Sequence, residues 1–381
     1  MTMIAEGSDR GHEEQIDWNG HPVTTWIPHP LAGQTFEVST RTARDTEQAI
    51  AAIRESGQFS ERFESLALLL LRAEGVASSW VEGLRVPMVD VAAAEIGETN
   101  DRSALQIADN LSVVRQALIA PERDLQIADL HQWHGRLMDS SALPGEMIGR
   151  FRMTQSWVGG TSPRDAALVP PPPDRVEPLM ADLIAFANTE RSDPVTQAAV
   201  AHAQFEAIHP YGDGNGRIGR ILVGWILARR LGISRPPPVS VFIARDPGGY
   251  LAGMTLYRMG LLDNWVTWMA SALLHAGEAA RSVMTRSEEL RNMWNGRIGD
   301  LREDATARKV LNLLSEHPVV SSELLVDRFG VSGRAALNAL HSLAIAGILQ
   351  PYQKAPLRPG RPRRYWVAGE LLDVISGWPG T

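Results

Sequence analysis

One stretch of twelve residues sets the terms for the whole chain: His209-Pro-Tyr-Gly-Asp-Gly-Asn-Gly-Arg-Ile-Gly-Arg220. It lies between two apolar stretches with helical spacing, PVTQAAVAHAQFEAIH before it and IGRILVGWILARRLG after it. The first helix has to stop near Ile208, because the residue before a proline is pushed out of helical geometry. Gly212, Gly214 and Gly216 alternate with Asp213 and Asn215 in the loop that follows. Glycines permit φ > 0 and let backbone N–H groups approach a ligand closely. A second helix starts at once, with Ile221, Leu222, Trp225 and Ile226 on its apolar face. A glycine loop opening a helix N-terminus is a ready anion site. Arg217 and Arg220 add two fork-shaped cations on one side of the first turns. Together these parts make a phosphate cradle.

Asp213 is a hard oxygen ligand beside that cradle, and Mg²⁺ is usually held by one or two carboxylates together with substrate phosphates. His209 stands at the other end of the loop, with a side chain suited to proton transfer near neutrality. Base, metal carboxylate, anion nest and two arginines are the parts that phosphoryl or nucleotidyl transfer requires. Read singly, His-Pro is a helix stop and Asp-Gly or Asn-Gly a turn. All of these roles in order within twelve residues are not explained by turns alone.

The segment resembles the signature of the Fic family, His-x-Phe-x-(Asp/Glu)-Gly-Asn-Gly-Arg-x-x-Arg, with Tyr211 where phenylalanine is usual. The resemblance extends in order and spacing over roughly residues 40–280. It implies a mainly α fold, a helical core with a β-hairpin flap and an N-terminal helical region; beyond it, the pattern of helix, helix-turn-helix and basic wing reads as a C-terminal winged helix. The resemblance also implies protein adenylyltransferase activity, moving AMP from ATP with Mg²⁺ onto a Ser, Thr or Tyr hydroxyl. His209 would take the hydroxyl proton and Asp213 would bind the metal. Gly214, Asn215 and Gly216 would supply the anion hole, and Arg217 and Arg220 would hold the β- and γ-phosphates. Tyr250 lies where the family places a residue near the adenine, and core packing accounts for it equally well. The flap, around Val158–Gly160 and Ala167–Val169, would clamp the target segment by strand addition. Nothing in the residues reads the base, so ATP is the family's default donor.

Ser78-Ser-Trp-Val-Glu82-Gly83 resembles a second family pattern, (Ser/Thr)-x-x-x-Glu-(Gly/Asn), carried on an inhibitory N-terminal helix. A carboxylate reaching Arg220 would form a bidentate pair and take the place of the γ-phosphate. Ser78, one turn earlier, would hold the helix or its glutamate in place. Taken alone, Glu82 and Gly83 read as an exposed helical glutamate and a C-cap glycine.

The organisation expected around this centre has four parts. Residues 1–120 form a helical region carrying the inhibitory helix, 121–280 the catalytic core, 281–304 a linker helix and 305–381 a winged helix-turn-helix. Residues 1 to about 40 have little periodicity and read as an irregular arm. GRFRMTQSWVGGTSPRDAALVPPPP reads as a hairpin, and a helix is expected to end near Gly277. In the last part, Arg334 and Asn338 lie on the recognition helix. The wing carries Lys354, Arg358, Arg361, Arg363 and Arg364 with no acidic residue between them. DNA binding and protein docking fit that part equally.

The remaining features restrict the alternatives. The 381 residues include no cysteine, which excludes disulfides, thiolate metal sites and cysteine nucleophiles. A net charge of −7 argues against a nucleic-acid coat over the whole chain but leaves room for a local basic patch. The polar N-terminus and the absence of a long apolar run point to a soluble cytoplasmic protein with no membrane partner. His202, Glu206 and His209 share a helical face, yet a second Glu-x-x-His for a di-metal site is missing, so Glu206 reads as a supporting residue. His131 and His134 read as satisfied core or surface histidines. Partners expected are ATP and a protein target, with the chain itself a candidate target. DNA, AMP removal and homo-oligomerisation stay open, and a DNA-binding regulator built on the same core is the alternative function.

Overall fold

The structure, a computed structural model, describes residues 10–62, 64–118, 123–299, 302, 305–352 and 364–375. The chain opens with a hairpin, β1 (Gly11–Trp18) and β2 (His21–Pro28). Eleven helices follow: α1 (Thr40–Arg62), α2 (Glu64–Val81), α3 (Met88–Glu95), α4 (Arg102–Ala117), α5 (Ile127–Leu137), α6 (Pro173–Ala187), α7 (Pro194–Ile208), α8 (Asn215–Leu231), α9 (Val239–Arg245), α10 (Pro247–Arg258) and α11 (Leu262–Ile298). The C-terminal unit holds α12 (Thr306–Leu313), β3 (Val319–Ser321), α13 (Ser322–Phe329), α14 (Gly333–Ile345), β4 (Gln350–Tyr352), β5 (Tyr365–Val367) and α15 (Gly369–Asp373). Its three strands pair antiparallel in the order β3-β5-β4. Among the described residues no helix is long and apolar enough to cross a membrane.

The centre is the pair α7 and α8, the two helices either side of the glycine loop. Asp193 caps α7 by accepting from the Val195 and Thr196 N–H groups, with Pro194 at the first helical position. Almost every residue of α7 is buried, as expected of a helix surrounded by others. Gly214 at the start of α8 and Gly232 at its end are both left-handed, at φ 78° and 65°.

α2 belongs to two cores at once. Its Leu71 joins the cluster built on α7, α8 and α11. Leu69, Leu70 and Val76 join a second cluster made with the far half of α11 and the C-terminal unit. Its end is a Schellman cap: the Leu84 N–H reaches the Ser79 carbonyl at 3.0 Å, the Gly83 N–H reaches that of Trp80 at 2.9 Å, and Gly83 sits at φ 86°.

Three expectations change. Within the N-terminal arm, residues 11–28 are not irregular: Asn19 and Gly20, both at positive φ, close a two-residue hairpin turn. The flap is not a regular hairpin, because its strands meet only at the single bridge Val158↔Leu168. Prolines at 163 and 170–173 cannot donate to a ladder. Asp165 further takes the Thr161 and Ser162 N–H and hydroxyl groups onto its own carboxylate. The helix expected to end near Gly277 runs straight through it to Ile298. Gly277 is a contact glycine: a Cβ there would press on the Ala52 backbone of α1 at 2.9 Å. The basic stretch at Lys354, Arg358, Arg361 and Arg363 lies outside the described residues, and Arg364 is exposed.

Gly277→Ala is therefore expected to lower the unfolding midpoint, even though alanine is favoured over glycine in helices by about 1 kcal/mol. Gly296→Ala, later in the same helix with open space around it, is expected to raise the midpoint. Both are read by urea unfolding.

Candidate functional site

α7 breaks at His209, which adopts a left-handed conformation at φ 50° and ψ 60°. Non-glycine residues rarely adopt this conformation without support. The support comes from Arg152, a residue the sequence reading did not single out. Its Nε donates to the His209 carbonyl at 2.8 Å and its backbone N–H to the Pro210 carbonyl at 2.8 Å.

The loop after His209 is braced from both sides. Asn215 Oδ1 accepts from the Tyr211 N–H, and its Nδ2 donates to the Tyr211 carbonyl, both at 2.8 Å. The Asn215 side chain thus shapes the loop, leaving only its backbone to face an anion. His134 lies flat against Tyr211, with ring centroids 4.0 Å apart. The Gly149 N–H donates to His134 Nδ1, which makes Nε2 the protonated nitrogen that donates to the Asp213 carbonyl. Tyr211 is fully buried, and its hydroxyl is matched by His131 Nδ1 at 3.1 Å. His131 and His134 are satisfied histidines, as read, and both hold the loop.

Arg220 lies deep in the first turns of α8 and is claimed by the end of α2. Its Nε donates to Ser78 Oγ at 3.0 Å. Its Nη2 donates to the Ser78 carbonyl and to Glu82 Oε1, both at 2.8 Å. Glu82 Oε1 rests so close over Gly216 that any Cβ at Gly216 would collide with it. A carboxylate of this chain therefore occupies the mouth of the α8 N-terminus. Arg217 is buried too but far less engaged. Its Nη2 has a 3.5 Å contact to Asp213, and its Nε is buried without a hydrogen-bond partner. Asp213 accepts the Gly214 N–H at 2.6 Å on Oδ1 and keeps a side chain 58% exposed.

Tyr250 is brought under Arg220, not out to the cleft. It is 4% exposed, and its hydroxyl meets His202 Nε2 at 2.6 Å. That geometry favours packing over a place beside the adenine. Gly219 lets α7 and α8 close together, since a Cβ there would strike Glu206 Oε1 and the His202 ring.

The electrostatics follow from this packing. Burial alone would raise the Glu82 carboxyl, but the charge and hydrogen bond of Arg220 outweigh it and hold Glu82 below the usual carboxylate range. Burial drives Glu206 up to about 8, against the pull of Arg220, so it is protonated at neutrality. Burial, then the Arg152 cation, bring His209 down to about 4 against the Glu206 carbonyl, Glu82 and Asp213. Burial likewise lowers His134 to about 4 and His202 to about 3.

The residues singled out in sequence thus fall into groups. His209, Asp213, Gly214, Gly216, Arg217 and Arg220 surround the start of α8, with Ser78 and Glu82 reaching into it. Gly83 caps α2, Asn215 braces the loop and Tyr250 lies beneath.

The Fic/DOC family model matches residues 124–227, a stretch that runs from before α5 into α8. Over 158 residues it is 32% identical to protein adenylyltransferase fic-1 of Caenorhabditis elegans, covering 40% of this chain and 28% of that protein. Over 137 residues it is 34% identical to protein adenylyltransferase Fic of Culex quinquefasciatus, covering 35% of this chain and 25% of that protein. The chain spans less than a third of the length of these curated relatives. A crystal structure of a Fic family protein from Desulfovibrio desulfuricans G20 shares the fold with a TM-score of 0.54 at 21% identity, covering 88% of this chain and 97% of that one. A segment of Fic-1 from C. elegans does so with a TM-score of 0.50 at 21% identity, covering 65% and 74%.

Asn215→Ala leaves the buried N–H and C=O of Tyr211 unpaired, and it should cost about 2 kcal/mol of stability in urea unfolding.

Proposed function

We propose that the chain is a magnesium-dependent protein adenylyltransferase, moving AMP from ATP to a Ser, Thr or Tyr hydroxyl of a protein, and that Glu82 holds it inactive. The observation that carries this reading is the unequal state of two arginines at one helix N-terminus. Arg220 is already paired with a carboxylate of the chain, while the buried Arg217 is under-bonded. Both suit an anion, and the relatives, protein adenylyltransferases, point to ATP as its source.

His209 is the proposed base. With Nδ1 buried beside the Glu206 carbonyl, Nε2 is the nitrogen that accepts the hydroxyl proton. The hydroxyl oxygen then bonds to the α-phosphorus, the bond to the β-phosphate oxygen breaks, and pyrophosphate leaves. The backbone N–H groups of Gly214, Asn215 and Gly216 would stabilise the developing charge, with Arg217 and Arg220 on the departing phosphates. The exposed Asp213 carboxylate fits a hard cation shared with substrate phosphates. Such an ion would neutralise charge on the phosphates. Glu82 on Arg220 would leave the γ-phosphate without its partner, so ATP would bind out of line for attack. AMP removal at the same site belongs to the same proposal.

A target segment would lie in the groove between the flap and β2, lined by Thr24, Trp26, Arg164 and Leu168 among others. A cytoplasmic setting accords with the cysteine-free composition.

A second reading, a DNA-binding regulator, is favoured by one observation. The helix order and three-stranded sheet of residues 305–375 suit a winged helix, and α14 leaves Arg334 and Asn338 exposed. Leu337 is exposed between them, which suits a protein partner as well. A gel shift and its salt slope separate the two.

Incubation of Glu82→Gly with ATP and Mg²⁺ is expected to add one AMP to the intact mass, with wild type and Glu82→Gly/His209→Ala unmodified. Failure of Glu82→Gly to exceed wild type removes the inhibitory role. The low position of His209 also fixes a pH profile. A base whose pKa is depressed stays neutral above it, and losing Glu82 removes a charge that raises it, so AMP transfer by Glu82→Gly should keep its acid limb at or below about pH 4, not near the 6.5 of an ordinary histidine.

A further inference from the structure

We propose that Arg152 is a positioning residue for His209: its guanidinium fixes the left-handed backbone of that residue and so aims the imidazole. Arg152 is 3% exposed. Every hydrogen bond that its side chain makes among the described residues goes to a carbonyl. Nε meets His209 at 2.8 Å, Nη1 meets Thr154 at 3.0 Å, and Nη2 meets Ile208 at 3.3 Å and also Pro171. Its backbone N–H adds the Pro210 carbonyl. Three consecutive residues at the break of α7 are therefore held by one arginine.

A helix stop does not need this. The last carbonyls of a helix are commonly satisfied by a glycine in the left-handed position, as α2 and α8 do with Gly83 and Gly232. Here the left-handed residue is a histidine, a strained conformation that persists only where its surroundings enforce it. A buried cation with no acidic partner is itself costly. The arrangement accepts both costs at the one residue whose ring must point into the cleft. Pro171 and Thr154 tie the stem of the flap to the same guanidinium, so flap stem and base share one anchor.

The charge matters separately from the fork. The charged groups facing His209 are Arg152 from the flap stem, Glu82 from the end of α2 and Asp213 from the loop, with the Glu206 carbonyl alongside. Burial brings Arg152 itself down to about 10, so it remains a cation at neutral pH. A cation there disfavours the imidazolium, whereas both carboxylates favour it.

Two variants in the Glu82→Gly background separate fork from charge. Arg152→Lys keeps the cation and loses the fork. Arg152→Gln keeps a polar head and loses the cation. The His209 ring is titrated by proton NMR, its resonance assigned by its loss in His209→Ala, and kcat and the ATP KM for AMP transfer are measured alongside. Folding is checked by near-UV circular dichroism. Arg152→Gln should move the His209 midpoint upward from that of the Glu82→Gly parent, with burial still holding it below 6.5. Arg152→Lys should leave the midpoint low and cut kcat by about tenfold or more, the scale expected for a misaimed base, at an unchanged ATP KM. Folded variants with the parent midpoint and the parent kcat overturn the proposal. If Arg152→Gln does not fold, Arg152→Lys decides through kcat. The inference rests on the base assignment only for its kinetic arm. A shifted midpoint in a protein that transfers no AMP would sustain the contact of the Arg152 charge with His209 and sink the transferase reading.

Discussion

The site depends on a buried guanidinium that has more donors than its own helix can satisfy. Arg220 sits in the first turns of α8 with 1% of its side chain exposed, and water cannot serve it. Ser78 and Glu82 meet that need from α2, three hydrogen bonds in all. Breaking a buried pair by removing one partner usually costs about 3–5 kcal/mol, because the remaining charge is stranded. An exchange that brings another anion avoids that cost. Glu82 keeps 34% of its side chain exposed, so it is the partner that can leave. The same cation holds Glu82 ionised and pulls against the burial that raises Glu206.

What keeps Glu82 in place is the setting of α2 between two cores. One side of the helix packs on α7, α8 and α11, and the other on the C-terminal unit. Leu84 and Val86, just past the Schellman cap, lie against that second core. Arg72, fully buried on α2, bonds Glu95 at 2.8 Å and the Glu316 carbonyl at 2.9 Å. Arg115 closes on the other Glu95 oxygen at 2.7 Å. The position of the glutamate is thus fixed by contacts well away from Arg220, and the C-terminal unit supplies several of them.

The sequence showed the centre because the chemistry there is local. A proline, four glycines, an acid and two arginines lie within twelve residues, and each acts through its own backbone or its own helix turn. The helices were legible for the same reason, their apolar spacing being contiguous. The Asn19-Gly20 turn carried a readable hairpin signal that was missed beside the polar arm. Gly277 misled because a glycine in a helix marks an end or a close contact, and only the approach of Ala52 decides which. Arg152 was not legible at all. Its partners are 56 and 57 residues away at Ile208 and His209, and an arginine between flap residues gives no local sign that it will be buried. The loss of the flap ladder to Asp165 depended on a choice between side-chain and strand bonding that spacing does not settle. Tyr250 shows the same limit, since its direction depends on His202, 48 residues earlier.

The central claim is that Glu82 stands in for a phosphate on Arg220. Calorimetric titration of ATP and of ADP, each with Mg²⁺, into wild type and Glu82→Gly tests it most directly. With Glu82 present the third phosphate should add nothing, and the two affinities should agree. Without Glu82, ATP should bind about tenfold or more tighter than ADP, the worth of one charge-assisted contact of about 1.4 kcal/mol or above. An ATP preference that is the same in both proteins would contradict the account.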